Sequence, residues 1–239
     1  MRKFWGYISN EEYAVGCTGQ TVFVYDREGK ELAKFKDIKY GCMAMFSPDG
    51  KLFVVKSTGA YFGVYLLDTL RLIYKVKFSD VDGSQDDGYC FSADGKYFYN
   101  IERQKKSFNG AISVYTTSDF KRAAMFLDED KYTEPSWIET GTDGWIYVLG
   151  FLRGEDGVIC DGFISRFGDN GIEKLCVIPI AEYEYYRSFK KMESYGFTDK
   201  AKEMFLLKYT DADMGGIENT PLPLENLWRK YSNEEGSMK

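Results

Sequence analysis

The sequence predicts an all-β fold, a single β-propeller of about five four-stranded antiparallel blades. A short phrase recurs along the chain: FSPDGKLFVV begins at Phe46, FSADGKYFYN at Phe91 and the looser GTDGWIYVLG at Gly141. Each phrase places an Asp-Gly turn between two runs typical of β-strands, which is the pattern of a β-hairpin. Hairpins that return every ~40–50 residues indicate the blades of a propeller.

Two further runs complete each unit. After every hairpin a third β-run ends at an aspartate, and a fourth run of alternating polarity follows, so each unit contains four short strands. A carboxylate at the end of the third strand is well placed to accept hydrogen bonds from the backbone amides of the next turn. We therefore predict a structural role for these aspartates, which are Asp26, Asp68, Asp119 and, in a weaker match, Asp169.

The end of the chain departs from the repeat. The first four units begin near Phe4, Tyr40, Gly88 and Pro135, and a fifth hairpin is predicted at 195–209. No third or fourth strand is evident after it, so the last blade is irregular. An exposed sheet edge at that point favours ring closure by other means or pairing with a second copy, and a homo-oligomer is predicted on this ground.

A short helix is predicted after the propeller. Leu224, Leu227, Trp228 and Tyr231 are spaced as on one face of an amphipathic helix, and a polar tail follows them. The chain is accordingly divided into a propeller at residues 1–216 and a C-terminal extension at residues 217–239.

The repeat has a recognisable family likeness. FSPDGK followed by a hydrophobic strand resembles the WD-type and Tol-type β-propeller repeats of bacteria, and the VYD ending at Asp26 is similar to the Trp-Asp position of WD repeats. The likeness is strongest in the second and third units. The chain has no histidine, so the Asp-His-Ser/Thr-Trp network of WD repeats cannot form. The resemblance implies the fold and no single activity, because such propellers include scaffolds, periplasmic partners, lyases and hydrolases.

Composition narrows the function classes. The 239 residues are 44% hydrophobic and 17% aromatic, enough to bury the core of one all-β domain. The net charge of −6 disfavours nucleic acid as a partner. No apolar run approaches the ~20 residues that span a bilayer, and we expect no secretory signal because no apolar core follows the basic residues near the start. We expect a soluble, cytoplasmic protein without a membrane partner.

The cysteines and the absence of histidine exclude several chemistries. Five scattered cysteines without a Cys-x-x-Cys spacing favour buried thiols in a reducing compartment, with Cys160 as the exposed member. A serine triad, a histidine base and a histidine-ligated metal all require a residue that the chain lacks. Phosphate-loop and dinucleotide fingerprints are also missing. We expect no cofactor, no resident metal and no catalytic residue.

Charge placement predicts where a partner would bind. In a four-stranded blade, the loops between second and third strands share one rim with the crossovers between blades, and we call this the long-loop rim. Function in such folds tends to lie where loops are long. Five acidic segments map to this rim: residues 79–87, 128–135, 154–162, 181–186 and 210–216.

The predicted binding face combines carboxylates with aromatic rings. Such a face suits a basic protein or peptide, because carboxylates select the charge and aromatic side chains supply contact area. Phe108 and Tyr186 are additional aromatic candidates. The predicted rim residues are Asp82, Asp86, Asp87, Tyr132, Glu134, Asp161, Tyr183 and Tyr185.

Other interpretations of the rim stay open. The acids can be ordinary solvated surface. A carboxylate-dependent glycoside hydrolase is the alternative function, and it requires two carboxyl groups ~5–9.5 Å apart, drawn here from Asp86, Asp87, Glu134, Glu139 and Asp161. Residues 80–87 resemble a calcium loop but lack the EF-hand spacing. The basic stretch 103–106 is either solvated loop charge or a contact with the acidic rim of a second molecule.

Overall fold

Four antiparallel sheets of four strands each account for most of the structure, a computed structural model that describes residues 3–80, 85, 87–104, 109–127, 129–194 and 223–234. In every sheet the strands follow one another in chain order, as expected for propeller blades. The predicted all-β architecture is confirmed. The predicted fifth hairpin at 195–209 lies outside the described residues, so five blades are not confirmed.

The elements follow the predicted order. The strands of blades one and two are β1 (Gly6–Ser9), β2 (Tyr13–Cys17), β3 (Val22–Asp26), β4 (Glu31–Phe35), β5 (Gly41–Phe46), β6 (Leu52–Ser57), β7 (Tyr61–Leu66) and β8 (Arg71–Lys77). Those of blades three and four are β9 (Tyr89–Phe91), β10 (Tyr97–Arg103), β11 (Gly110–Thr116), β12 (Arg122–Phe126), β13 (Thr133–Thr140), β14 (Ile146–Arg153), β15 (Ile159–Gly168) and β16 (Gly171–Ile178). Two helices follow, α1 (Ile180–Ser194) and α2 (Leu224–Glu234).

The recurring Asp-Gly turn closes the hairpins through a repeated set of hydrogen bonds. In blade two the Ser47 hydroxyl donates to the Asp49 carboxylate at 2.7 Å, and the Lys51 amide donates to the same oxygen at 3.1 Å. Gly50 has a φ of 68°, in the left-handed region that glycine adopts without steric cost. Blade three repeats these contacts with Ser92, Asp94 and Lys96.

Aspartates at the ends of third strands have the predicted structural role. The Asp26 carboxylate accepts a hydrogen bond from the Lys30 amide at 2.8 Å. The Asp119 carboxylate accepts from the Lys121 amide at 3.2 Å and from the Thr116 hydroxyl at 2.5 Å. The prediction is confirmed for Asp26 and Asp119, whose side chains close the turn into the fourth strand.

Aromatic side chains fill the layers between blades. Phe53 and Tyr65 stack with ring centroids 4.7 Å apart in the layer that also buries residues of blade one. Phe62 of blade two contacts Phe98 of blade three at 5.2 Å. Rings of this size bury a large apolar area with few side chains, which is how an antiparallel ring gains its core.

The cysteines lie as predicted. All five fall in the described part of the chain and none forms a disulfide; four are buried and Cys160 is exposed. Burial raises the pKa of the Cys90 thiol to about 12. The buried thiols therefore behave as small apolar side chains.

Helix α1 covers blade four where a loop was predicted. The interpretation of residues 181–186 as an exposed acidic loop is wrong, because they form the first turns of α1, and Tyr183, Tyr185 and Tyr186 are buried. These rings join Leu149, Phe151 and Ile164 of blade four in one core cluster. Without the helix, this apolar surface of blade four would face water. A Cβ on Gly162 would lie 2.4 Å from that of Tyr183, so glycine lets the helix approach β15 closely.

The C-terminal helix is confirmed. Leu224, Leu227 and Trp228 of α2 are buried in the same cluster, as their spacing predicted. α1 contacts β13, β14 and β15 of blade four and also β1 of blade one, so it connects the last described blade with the first. Within the described ranges no helix is long and apolar enough to cross a membrane.

Candidate functional site

A group of five charged side chains lies on the long-loop rim between blades three and four. Asp87 precedes β9, Arg103 ends β10, Glu134 is the second residue of β13, Arg153 ends β14 and Arg187 belongs to α1. The first four positions are close to this rim because the first strand of each blade starts there and the second strand returns to it. Arg187 reaches the same place from helix α1. We call this group the arginine–carboxylate cluster.

Glycines allow the backbones under the cluster to approach one another. A Cβ on Gly150 would lie 2.2 Å from the Glu134 carbonyl oxygen, so only glycine fits between β14 and β13 there. The Gly88 amide donates to the Ser136 carbonyl at 3.1 Å, which ties the segment before β9 to β13. Because of these contacts, the two carboxylates from different blades fall within reach of one guanidinium group.

Arg103 bridges the two carboxylates. Its Nε donates to Asp87 Oδ2 at 2.9 Å, and its terminal nitrogen pairs with Glu134 Oε1. Arg153 completes the Glu134 side, with its Nη2 at 2.7 Å and its Nε at 3.1 Å from Oε2. Arg187 completes the Asp87 side, with Nη2 at 3.2 Å from Oδ1. Each carboxylate is therefore shared between two arginines.

Burial differs within the cluster. The side chains of Asp87 and Glu134 are 1% and 3% exposed, whereas the three arginines are between 19% and 30% exposed. Arginine remains protonated in proteins, so both acids accept hydrogen bonds from permanent cations. An uncompensated carboxylate at this depth would carry a large desolvation cost. The pairing offsets that cost and fixes the geometry of the rim.

Two neighbours extend the network inward. The Gln85 side-chain oxygen accepts a hydrogen bond from the Arg103 amide at 3.0 Å. Tyr183 of α1 lies one helical turn before Arg187, and its hydroxyl is 2.9 Å from the Ser136 hydroxyl. Burial raises the pKa of Tyr183, so the phenol stays protonated near neutral pH. Helix α1 is thus fastened to the blades by an ion pair and by a buried hydroxyl pair.

A buried lysine reaches the cluster from blade two. Lys56 of β6 is fully buried, and its Nζ donates at 2.7 Å to the carbonyl oxygens of both Asp87 and Ile101. Its ammonium group lies 5.4 Å from the ring centroid of Phe78 and 5.8 Å from that of Tyr89. The cation therefore links blade two to the backbone of blade three.

The carboxylates of the cluster are unsuited to acid–base catalysis. A glycoside hydrolase needs one carboxyl group that holds a proton for the leaving group and a second that is open to water or to the sugar. Here the oxygens of Asp87 and Glu134 accept hydrogen bonds from guanidinium groups. With side chains only 1% and 3% exposed, neither acid is open to water or to a sugar in this arrangement.

The other predicted rim residues have different fates. Asp82, Asp86 and Phe108 lie outside the described residues, and so does most of the segment compared with a calcium loop. Tyr132 is exposed on the rim, and its carbonyl accepts from the Arg153 amide at 2.8 Å. Asp161 is partly buried in β15, paired with Leu152.

Aromatic rim residues in α1 were assigned the wrong environment. Tyr183 and Tyr185 were predicted to be exposed contacts for a partner, but both are buried against blade four. The structure brings Asp87, Glu134 and Tyr183 together through Ser136 and the arginines. It leaves Tyr132 as the member of the predicted set that is freely exposed among those described.

Sequence reasoning missed most of the cations. Arg103 was assigned either to solvated loop charge or to a contact with a second molecule, and Arg153 and Arg187 were not considered. A usable signal was a cation at the end of an apolar strand, as in IYVLGFLR, where the last side chain must find a partner or reach water. Lys56 gave the same signal, since it follows the apolar run LFVV at the end of β6.

The long-loop rim is also not uniformly acidic. Over blades one and two it holds an open cleft of about 950 Å³, which we call the lysine cleft. Its lining residues are Lys36, Asp37, Lys39, Tyr40, Thr58, Gly59, Tyr61, Lys75 and Lys77. In the ranges that the structure describes, no three cysteine, aspartate or glutamate side chains gather as metal ligands.

Comparisons with known proteins support the fold class. No protein-family model and no curated protein matches the chain. Among solved structures 1091 chains match, and so common an architecture cannot by itself select an activity. One of them is the hydrazine synthase of Kuenenia stuttgartiensis, with 17% sequence identity and a TM-score of 0.57.

That likeness is one of architecture. The match covers 71% of this chain and 51% of the hydrazine synthase chain, so this protein spans about half the length of that chain. Together with the four sheets, it defines the class as a β-propeller-like protein.

Proposed function

We propose that this protein is a non-catalytic binding or scaffold module that recognises a protein or peptide partner through the long-loop rim. The observation that supports it best is the state of the rim carboxylates: Asp87 and Glu134 are consumed by internal ion pairs with arginines. Charges used in this way stabilise a rigid surface, and these two carboxylates are not open to a substrate. Glycoside hydrolysis is the less supported alternative for the same reason.

Exposed apolar side chains beside the cluster provide contact area. Tyr132, Val158 and Ile159 are 44%, 62% and 42% exposed, and we call them the rim patch. Arg153 holds both sides of the patch, because its amide donates to the Tyr132 carbonyl and its guanidinium donates to the Gly157 carbonyl at 3.1 Å. A rigid scaffold that displays apolar side chains among polar groups is typical of a protein interface.

The experiment compares a rim variant with a matched control. The rim variant combines Tyr132→Ala, Val158→Asp and Ile159→Asp. The control combines Tyr97→Ala, Leu32→Asp and Ile73→Asp, which changes the same residue classes at exposed positions away from that rim. Each protein is crosslinked in a lysate of its own cells, and the captured proteins are quantified by mass spectrometry. We expect at least one protein captured by the parent and the control but lost by the rim variant; equal capture by all three would overturn the proposal.

Three finer statements belong to the same proposal. A cytoplasmic location agrees with five cysteines that form no disulfide. Membership of the WD-type and Tol-type propellers is supported by the hairpin phrase and by the turn contacts it makes. Self-association remains a prediction, which sedimentation at two protein concentrations would test.

A further inference from the structure

The lysine cleft begins with the crossover from blade one to blade two. In the segment 36–40, Ile38 is 1% exposed and packs in the core between these blades, whereas the residues on both sides of it face solvent. One buried anchor in a polar segment fixes the path of the loop. The ammonium groups of Lys36 and Lys39 are consequently displayed on the rim next to the Tyr40 ring.

The opposite wall of the cleft is formed by β8, whose alternating pattern decides which side chains face the cleft. β8 alternates strictly between exposed and partly buried residues, so Leu72, Tyr74 and Val76 turn toward the core. Lys75 and Lys77 lie on the other face because side chains two apart in a strand share a face. Two pairs of lysines that are far apart in the sequence, Lys36 with Lys39 and Lys75 with Lys77, thus line one cleft.

The backbone of the cleft is held rigidly. The Ser57 hydroxyl donates to the Lys39 carbonyl at 2.5 Å, and the Tyr40 amide donates to the Gly19 carbonyl at 2.5 Å. Tyr40 has a φ of 58°, a conformation that costs a non-glycine residue energy and persists only where its surroundings impose it. The loop is therefore preorganised, and the lysine side chains supply the adaptable part.

Positive charge is concentrated here in an otherwise acidic protein. The lining has four lysines and one carboxylate, Asp37, whereas the whole chain carries a net charge of −6. Lys77 also pairs with Asp80 at 2.8 Å, which lowers the local excess of positive charge. The Lys75 ammonium lies 5.3 Å from the ring centroid of Tyr61, so an aromatic surface accompanies the cations.

We infer that the lysine cleft binds an acidic peptide segment of the partner. This inference rests on the proposed function, since it gives the chemistry of the partner at one part of the same rim. Glutamate or aspartate side chains would pair with the lysines, and intervening side chains would contact Tyr40 and Tyr61. A cleft of about 950 Å³ that is open to solvent suits a chain segment that passes across it.

A phosphate group fits the cleft less well than carboxylates do. Phosphate sites typically combine arginine with backbone amides that point at the anion. No arginine is among the lining residues. The amides of Tyr40, Thr58 and Gly59 are already used, since they donate to the Gly19 carbonyl, the Tyr40 carbonyl and the Ser57 hydroxyl. Lysines on flexible stems act as point charges and match spaced carboxylates.

The test uses a fluorescein-labelled oligoglutamate peptide and fluorescence anisotropy at low ionic strength. The cleft variant is Lys39→Glu/Lys75→Glu. The control is Lys30→Glu/Lys51→Glu, which makes the same change of net charge at exposed lysines on the opposite rim. We expect saturable binding to the parent, retained by the control and weakened at least about tenfold in the cleft variant, with no binding of oligoglutamine.

Several results would overturn the inference. These are no binding of oligoglutamate to the parent, an equal loss in both variants, and tighter cleft-dependent binding of tripolyphosphate by calorimetry. Cleft-dependent sedimentation with phosphatidylserine vesicles would also overturn it and assign the cleft to a lipid surface. The rim-patch capture experiment is carried out on the same proteins. If the oligoglutamate result fails while the rim-patch partner is still captured, the inference about the cleft fails and the proposed function stands.

Discussion

The two halves of the long-loop rim use charge in opposite ways. In the arginine–carboxylate cluster the acids are buried, and every carboxylate is shared between two guanidinium groups. In the lysine cleft, Lys36, Lys39, Lys75 and Lys77 are exposed around open space. Two carboxylates from the acidic segments, Asp87 and Glu134, are neutralised inside the fold, whereas the accessible charge of the cleft is positive. A count of charges along a chain therefore gives neither the sign nor the availability of charge at a surface.

The arginine–carboxylate cluster and the lysine cleft also differ in how much they contribute to the stability of the fold. Removing one partner from a buried ion-pair network leaves its charges less compensated and destabilises the fold, whereas exposed lysines contribute little to stability. Substitutions in the cluster should thus change the free energy of unfolding, and substitutions in the cleft should change binding alone.

The largest effect is expected at Arg103. Arg103→Met removes the bridge between Asp87 and Glu134 and should lower the free energy of unfolding by about 3 kcal/mol, as measured in urea. Arg103→Lys is the matched variant: it keeps the charge, but a single ammonium cannot reproduce the planar fork, so an intermediate loss is expected. A change within about 0.5 kcal/mol for Arg103→Met would show that the cluster is not a structural unit.

Lys56 should have the next largest effect. Lys56→Met keeps the shape of the stem but leaves the carbonyl oxygens of Asp87 and Ile101 without this donor, which should cost about 2 kcal/mol. Lys34→Met, at an exposed position of β4, makes the same chemical change and should be close to neutral. Similar losses at both positions in urea unfolding would argue against a role for the buried ammonium.

The hydroxyl pair that fastens α1 should contribute less. Tyr183→Phe removes its hydrogen bond with Ser136 and should lower the free energy of unfolding by about 1 kcal/mol. The double variant with Ser136→Ala measures the coupling directly, since the second substitution should add little once the pair is broken. Fully additive losses would mean that the two hydroxyls do not interact.

A smaller, pH-dependent effect is expected at Glu102. Burial raises the pKa of this carboxyl, opposed by the hydrogen bond from Ser113 and the charge of Arg122. Because the folded pKa lies above the unfolded one, the parent should lose stability relative to Glu102→Gln as pH rises from about 4.5 toward the folded pKa. Urea unfolding of both proteins across this range provides the measurement. Parallel stability curves would contradict the raised pKa.

The smallest effect on stability is expected in the cleft. Lys39→Glu/Lys75→Glu should change the free energy of unfolding by less than about 0.5 kcal/mol, because both side chains are exposed. Thermal and urea unfolding of this variant and of the parent, measured side by side, test this expected change in the free energy of unfolding. A loss comparable with that of Arg103→Met would erase the contrast between the two halves of the rim and make the lysines structural.

Local patterns explain why much of the fold could be predicted. The Asp-Gly turn needs only contacts within a few residues, such as those of Ser47 and Asp49, so its recurrence reveals the hairpins and the four-strand order. The spacing of Leu224, Leu227 and Trp228 similarly reveals α2. The helix at 180–194 was missed because its apolar residues are mainly tyrosines in an acidic context, and their burial depends on the surface that blade four offers them.

The candidate sites could be predicted only in part. Asp87 and Glu134 were chosen because they lie in acidic rim segments, and the topology does place them at that rim. Their partners come from positions 16 to 100 residues away along the chain, so no local pattern could reveal the pairing. The lysine cleft has the same origin, since it joins a crossover at 36–40 to a strand at 71–77.

The sequence by itself determined the elements that depend on near neighbours: the hairpins, the four-stranded units, the burial of four cysteines and the last helix. Tertiary structure alone decided which charges are neutralised and which are presented to a partner. The physical reason is that the energy of a charge depends on its burial and on cations or anions within a few ångströms. Those neighbours are set by the packing of one blade, or of helix α1, against another.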